Sequence, residues 1–134
     1  MQIADCRIRN KGSELTTRFV DFAAEAIRFA PRLQRTAAGR YISNQFLRAA
    51  ASSGANYQEA RGAESTADFL HKLQVVLTEL REAEYWLLLV ERAGLASGDP
   101  LPALRREADE LVRIVVASVK TAKGRVQDAG TSDF

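Results

Sequence analysis

From Phe69 to Val90 the chain places an apolar residue at alternating steps of four and three: Phe69, Leu73, Val76, Leu80, Ala83, Leu87 and Val90. Such steps track the turn of an α-helix, so these side chains line one face of it over three heptads. A half-buried strand would need alternation by two, and no segment of the chain offers it. A helix with one continuous apolar face must lay that face against other helices, which confines the chain to an all-α architecture.

The same steps recur in three other segments. Leu15, Phe19, Phe22, Ala26, Phe29 and Leu33 predict a helix over about 14–30, with Ser13 as its N-cap and Pro31 ending it near Ala30. Ile42, Phe46, Ala49, Ser53, Asn56 and Ala60 predict one over 40–61. The Phe69–Val90 stripe belongs to a helix over 66–93. Ser65-Thr66-Ala67-Asp68 opens it as a capping box with Asp in place of Glu, and Gly94 closes it. Leu101, Leu104, Ala108, Leu111, Val115, Ser118 and Ala122 predict a fourth over 100–123, started by Asp99-Pro100. Short connections make successive helices antiparallel neighbours, so the expected fold is an antiparallel up-down-up-down four-helix bundle. Residues 1–125 then form a single domain, and 126–134 (VQDAGTSDF), which lack any period, are expected to be a flexible tail.

At 134 residues the chain suits one domain rather than two. Its 46% apolar and 27% charged content excludes the disordered and fibrous classes. The longest apolar run, Trp86 to Val90, falls far short of the roughly 20 residues needed to span a bilayer, so no membrane partner is expected. The opening MQIADCRIRNKG has charges where a secretory leader needs an apolar core, which implies a cytoplasmic protein. Cys6 is the one cysteine, which leaves no internal disulfide and no cysteine-rich metal site.

One stripe per helix would satisfy a monomeric bundle, and the last two helices exceed it. Leu70, Leu77 and Leu88 form a flanking line on the third helix, while Val75, Trp86 and Leu89 lie on another side. Val112, Val116 and Val119 add to the fourth. Apolar surface beyond one stripe needs a second cover, so these nine residues are the expected interface of a homo-oligomer.

The segments SNQFLRAAASSGANYQEA, ESTADFLHKL and TELREAEYWLLLV, with EADEL and ASVKTAK in the fourth helix, carry a family likeness. From about Leu33 to Lys123 the chain resembles the bacterial four-helix-bundle proteins encoded by intervening sequences inside large-subunit ribosomal RNA genes. Leu80 stands where a small residue is usual in that family. The resemblance implies a compact bundle, often a ring of five subunits, hence a homopentamer here; it implies no enzyme. A related group, the accessory proteins of diversity-generating retroelements, is similar in fold, forms basic pentamers and works with a reverse transcriptase and its RNA. This chain, with a net charge of +2, is much less basic than that group.

Residues with the chemistry for a site are few. Asp68 and His71, at i and i+3, share a helix face, but the bundle metal centres need ligands from several helices and this chain has one histidine, so no metal is expected. Glu79 and Glu82 are similarly spaced and lack a histidine or nucleophile beside them; an ion-pair role is expected. Ser52-Ser53-Gly54-Ala55-Asn56-Tyr57 interrupts the second helix with small and polar groups, with Ser53 and Asn56 inward on the heptad count. A buried asparagine fixes register, and Gly54 costs about 1 kcal/mol unless close packing requires it. Asn44, Arg48, Asn56 and Tyr57, with Arg61, make the alternative polar pocket.

Charge is distributed unevenly. Residues 1–37 carry seven basic and four acidic side chains, and 111–127 carry four basic and no acidic ones. In an up-down bundle one end would gather Arg7, Arg9, Lys11, Arg61, Lys120, Lys123 and Arg125, a candidate contact for RNA or DNA phosphates. No phosphate-binding glycine loop, nucleophile–base pair, metal cluster or cofactor motif is present. The expected protein is a non-catalytic, structural or adaptor homo-oligomer, and the alternative is a nucleic-acid-binding accessory.

Overall fold

The computed structural model describes the backbone of residues 3–132, and the surroundings of Gly12 and of side chains 14–128. Four helices account for most of it: α1 (Ile3–Phe29), α2 (Ala37–Arg61), α3 (Thr66–Arg92) and α4 (Leu101–Ser132). A short 3-10 turn, Ala30–Leu33, joins the first two. No strand occurs among the described residues. The all-α bundle expected from the apolar period is therefore the fold.

Each boundary has a local cause. Pro31 ends α1 at Phe29 and diverts the chain into the 3-10 turn, because proline lacks the N–H a continuing helix needs. Thr36, not residue 40, starts α2: its Oγ1 accepts the Gly39 N–H at 2.9 Å. Ser65 caps α3 by accepting from the Asp68 N–H at 3.0 Å, as the capping box requires. At the other end, Leu95 N–H reaches Val90 O at 3.0 Å and Gly94 N–H reaches Glu91 O at 3.2 Å. This paired closure turns on Gly94, whose φ of +68° is costly for a residue with a Cβ. Leu95 then packs back on the core.

Two boundaries depart from expectation. α1 begins at Ile3 and runs straight through Ser13, which is therefore no N-cap. α4 continues to Ser132 through the segment read as a tail. Neither stretch contains proline, and an internal glycine costs only about 1 kcal/mol. Apolar period reports which face is covered; it does not report where local backbone hydrogen bonding stops.

The core is the interior of the bundle. Phe19, Phe22, Phe29, Phe46, Leu73, Leu80, Leu87, Leu101 and Leu111 are its largest fully buried side chains. Phe22 meets Phe46 edge-on with ring centroids 6.3 Å apart, and Phe19 stacks on Tyr57 at 5.0 Å. Gly54 has the close packing its cost demands: a Cβ there would lie 3.2 Å from Phe19 Cβ. Ser53 is buried and donates to the Ala50 carbonyl at 2.8 Å, which removes the cost of burying a hydroxyl.

Helix α3 lies between α2 and α4 and packs closely on both, whereas α1 leans chiefly on α2 and touches α4 lightly. Arg18 ties that looser seam, pairing with Glu107 and, at 3.2 Å, with Glu110. The sandwiched position of α3 explains its wide apolar surface. Leu70, Leu77, Trp86, Leu89 and Val112 are half-buried against the bundle's own core. Val75 and Val116 are also half-buried, and Val119 is buried within it. Of the nine residues expected to be surplus, only Leu88 is exposed, at 37%. The bundle covers most of that surface itself.

Candidate functional site

The expected basic end is partly assembled. Arg7, Arg9 and Lys11 lie outside the described side chains, although their backbone belongs to α1. Arg61, at the end of α2, and Arg125, near the end of α4, line one cleft of about 390 Å³ with Ser65, Thr66 and Phe69. Glu64 lines it too, and dilutes its charge. Arg61 is also committed, donating to Thr16 Oγ1 at 2.9 Å. Lys120 and Lys123 are exposed on α4 and, among the described residues, form no ion pair.

The polar pocket does not form. Arg48 turns to α3, where it holds Glu79 at 3.1 Å and also pairs with Glu82. Those two carboxylates are thus bridged by one guanidinium rather than left to share a proton. Asn56 is half-buried on the flank of α2 and donates to its own helix at Ser52 O, 2.9 Å. Tyr57 takes the inward place instead, 7% exposed against Phe19, and Asn44 is exposed. The cause is the drift of a 3.6-residue helix against a seven-residue count, which shifts the inward position by one over several turns. Burial raises the Tyr57 hydroxyl above its ordinary range, and Arg61 offsets this in part.

Asp68 is the first-turn acid of α3, and His71 is exposed. Among the described residues no three His, Cys, Asp or Glu side chains come close enough to hold a metal ion. No helix there is long and apolar enough to cross a membrane.

Two surfaces escaped the sequence reading. The first is a cleft of about 680 Å³ between α3 and α4, with Tyr85, Leu88 and Pro102 among its apolar lining and Arg81, Arg105 and Arg106 opposite Glu84, Glu91 and Asp109. Arg105 donates to Glu91 at 2.6 Å across it. Half-buried Glu84 has its carboxyl pushed above the usual range by burial first and Asp109 second, with Arg81 and Arg105 opposing. A carboxyl with its folded pKa above the unfolded one favours folding most below the unfolded value, and loses that contribution as pH rises through the folded value. Glu84→Gln is therefore expected to raise the urea midpoint at pH 7, with the gain vanishing towards about pH 4 as the native carboxyl protonates. Parallel urea titrations at the two pH values check this.

The second surface is aromatic. Trp86 on α3 meets Tyr41 of α2 at 6.1 Å and its neighbour Tyr85 at 5.1 Å, both edge-on. Tyr41 and Tyr85 are 59% and 56% exposed. Val20 and Ile27 on α1 are the remaining large apolar side chains in solvent among the described residues. Their signal was available: at i and i+7, they lie outside the Phe19–Phe22–Ala26 stripe on a face of their own.

The matches to known proteins agree with this geometry. A crystal structure of a protein of unknown function from the S23 ribosomal protein family of Bacteroides thetaiotaomicron VPI-5482 is 29% identical, with a TM-score of 0.73. The alignment covers 79% of this chain and 98% of that one. No curated protein matches the chain. The family model described as 23S rRNA-intervening sequence protein matches residues 12–117. With the fold and most of the chain in common, the protein belongs to the 23S rRNA-intervening sequence protein family.

Proposed function

We propose that the protein is a non-catalytic four-helix-bundle unit that assembles with copies of itself and serves as a structural or adaptor component. The observation that carries this reading lies on α1. Val20 and Ile27 are 61% and 63% exposed, a heptad apart on one outer face, with Ala23 and Ala24 between them. That strip carries no charge, while the charged Asp21, Glu25 and Arg28 lie to its side. An uncharged aliphatic strip on a helix already buried along its opposite face gains by being covered, and a second copy presents the same strip. The contact surface proposed here is thus on α1, not on α3 and α4.

Val20→Asp combined with Ile27→Asp places two charges on that strip without touching the core. The double variant is expected to run as a 14.8 kDa monomer with unchanged helicity, read by light scattering and circular dichroism. An unaltered mass would remove α1 from the interface.

A second reading, contact with RNA or DNA at the basic end, is supported by the cleft that Arg61 and Arg125 share and by the exposed Lys120 and Lys123. Neutralising Lys120, Lys123 and Arg125 to glutamine should then weaken binding of a structured RNA and flatten its salt dependence, since each lost phosphate contact releases fewer counterions. No binding of the parent chain at about 50 mM salt retires this reading.

A further inference from the structure

Helix α1 touches α4 only lightly, and the seam between them is not closed along its length. Two cavities open on it, one to each side of the bridge from Arg18 to Glu107 and Glu110. The first, of about 200 Å³, is lined by the apolar Phe22, Ala103 and Leu104 and by Asp21, Glu25 and Glu107. The second, of about 350 Å³, is lined by Leu15, Tyr57 and Ile114, with Ser118 beside them. Their linings on α1, Leu15 and Phe22, are a heptad apart, and so are Ile114 and Glu107 on α4, a spacing of roughly 10 Å along a helix. The exposed strip of α1 has the converse relief. Val20 and Ile27 are also a heptad apart, and the small Ala23 and Ala24 lie between them. Two branched side chains separated by a low stretch match two holes separated by a bridge.

We infer that the Val20–Ile27 strip of one copy seats in the α1–α4 seam of the next, so that the contact is head-to-tail and every copy carries both halves of it. This rests on the self-assembly reading above and names the surface that receives the strip. A second copy has its own strip or its seam to offer. Strip on strip leaves both cavities open, whereas strip in seam fills them and gains the packing that an empty cavity forfeits. Charge sets the direction of seating. Glu25 and Glu107 already pair with Arg28 and Arg18 of their own chain, while Asp21 forms no ion pair among the described residues. Arg28 follows Ile27 directly and is exposed. Ile27 in the first cavity therefore brings an incoming Arg28 to Asp21, and Val20 enters the second. The two alanines then cross the half-buried Arg18–Glu107 pair, where a larger side chain would meet it.

Two variants of the full chain separate the halves. Val20→Asp with Ile27→Asp removes the strip. Ala103→Arg with Ser118→Arg places a long charged side chain at each cavity, from one exposed and one half-buried position. Sedimentation at high protein concentration reads the mass of each variant alone and of their equimolar mixture, and circular dichroism reads helicity. The expected result is 14.8 kDa for each alone and twice that for the mixture, because one intact strip meets one intact seam and the pair cannot extend. The inference is overturned if the seam variant keeps the parent's mass, as strip-on-strip pairing requires, or if the two variants stay at 14.8 kDa when mixed. Should the double seam variant lose helicity, Ala103→Arg alone, at the exposed position, is held to the same outcomes. A parent chain of 14.8 kDa at every concentration overturns the self-assembly reading and this inference together. An assembled parent with an equally assembled seam variant overturns this inference alone.

Discussion

Alanine in place of Leu73 or Leu87 is expected to destabilise the protein by about 2–5 kcal/mol, a large share of the roughly 5–15 kcal/mol that holds a domain of this size together. Both side chains are fully buried on the inward stripe of α3. That helix is packed on two sides, so it cannot shift toward α2 to close the space without leaving α4, or toward α4 without leaving α2. The cavity therefore persists, and its cost adds to the lost transfer energy of the side chain. Leu88→Ala, at a partly exposed site on the same helix, is the internal control and should cost well under half as much. Urea unfolding at one fixed protein concentration measures all three, since assembly would make the midpoint concentration-dependent. A loss under about 1 kcal/mol for both buried sites would contradict the placement of the stripe.

Gly39→Ala should also destabilise, although alanine is the better helix former by about 1 kcal/mol. A Cβ at Gly39 would stand 2.0 Å from the Leu33 carbonyl oxygen and 3.0 Å from Thr36 Oγ1. The first contact is with backbone of the 3-10 turn, which Leu33, itself buried, anchors to the core. Relief requires moving the α1–α2 corner or losing the Thr36 cap, whose bond is made to the Gly39 N–H. The expected net loss is about 1–3 kcal/mol, the usual range for overpacking. Gly62→Ala, where an added Cβ meets only a carbonyl at 3.7 Å, should be close to neutral by comparison. A stabilised Gly39→Ala variant in the same urea titration would show that the corner is not tightly packed.

The apolar period made the helices and their inward faces legible because burial is what it encodes. Leu73, Val76, Leu80, Ala83, Leu87 and Val90 are all inside, as their spacing requires. It erred by one position where a seven-residue count outran a 3.6-residue helix: Tyr57 replaced Asn56 in α2, and Val119 replaced Ser118 in α4. Caps were legible where a side-chain oxygen stood three residues before its target N–H, as at Ser65. Thr36 escaped notice because Gly39, not a carboxylate, follows it. What the period does not contain is the distance from one helix to the next. The flanks of α3 were read as surplus because the closeness of α2 and α4 on either side is a property of packing. Val20 and Ile27 lay outside any stripe and were passed over for the same reason.

Pair chemistry was legible in kind but not in partner. Glu79 and Glu82 were expected to form ion pairs, and Arg48, placed in a different site, turned out to supply both. Such exposed pairs contribute little to stability, so neither their presence nor their absence bears on assembly. The surfaces that bear on it are those with apolar side chains in solvent. Among the described residues, Val20 and Ile27 are the most exposed of these.

Sedimentation equilibrium of the unmodified chain over a micromolar concentration series tests self-assembly most directly. The account predicts a single species whose mass is a whole multiple of 14.8 kDa and which loses mass only on dilution. A mass of 14.8 kDa at every concentration would contradict it.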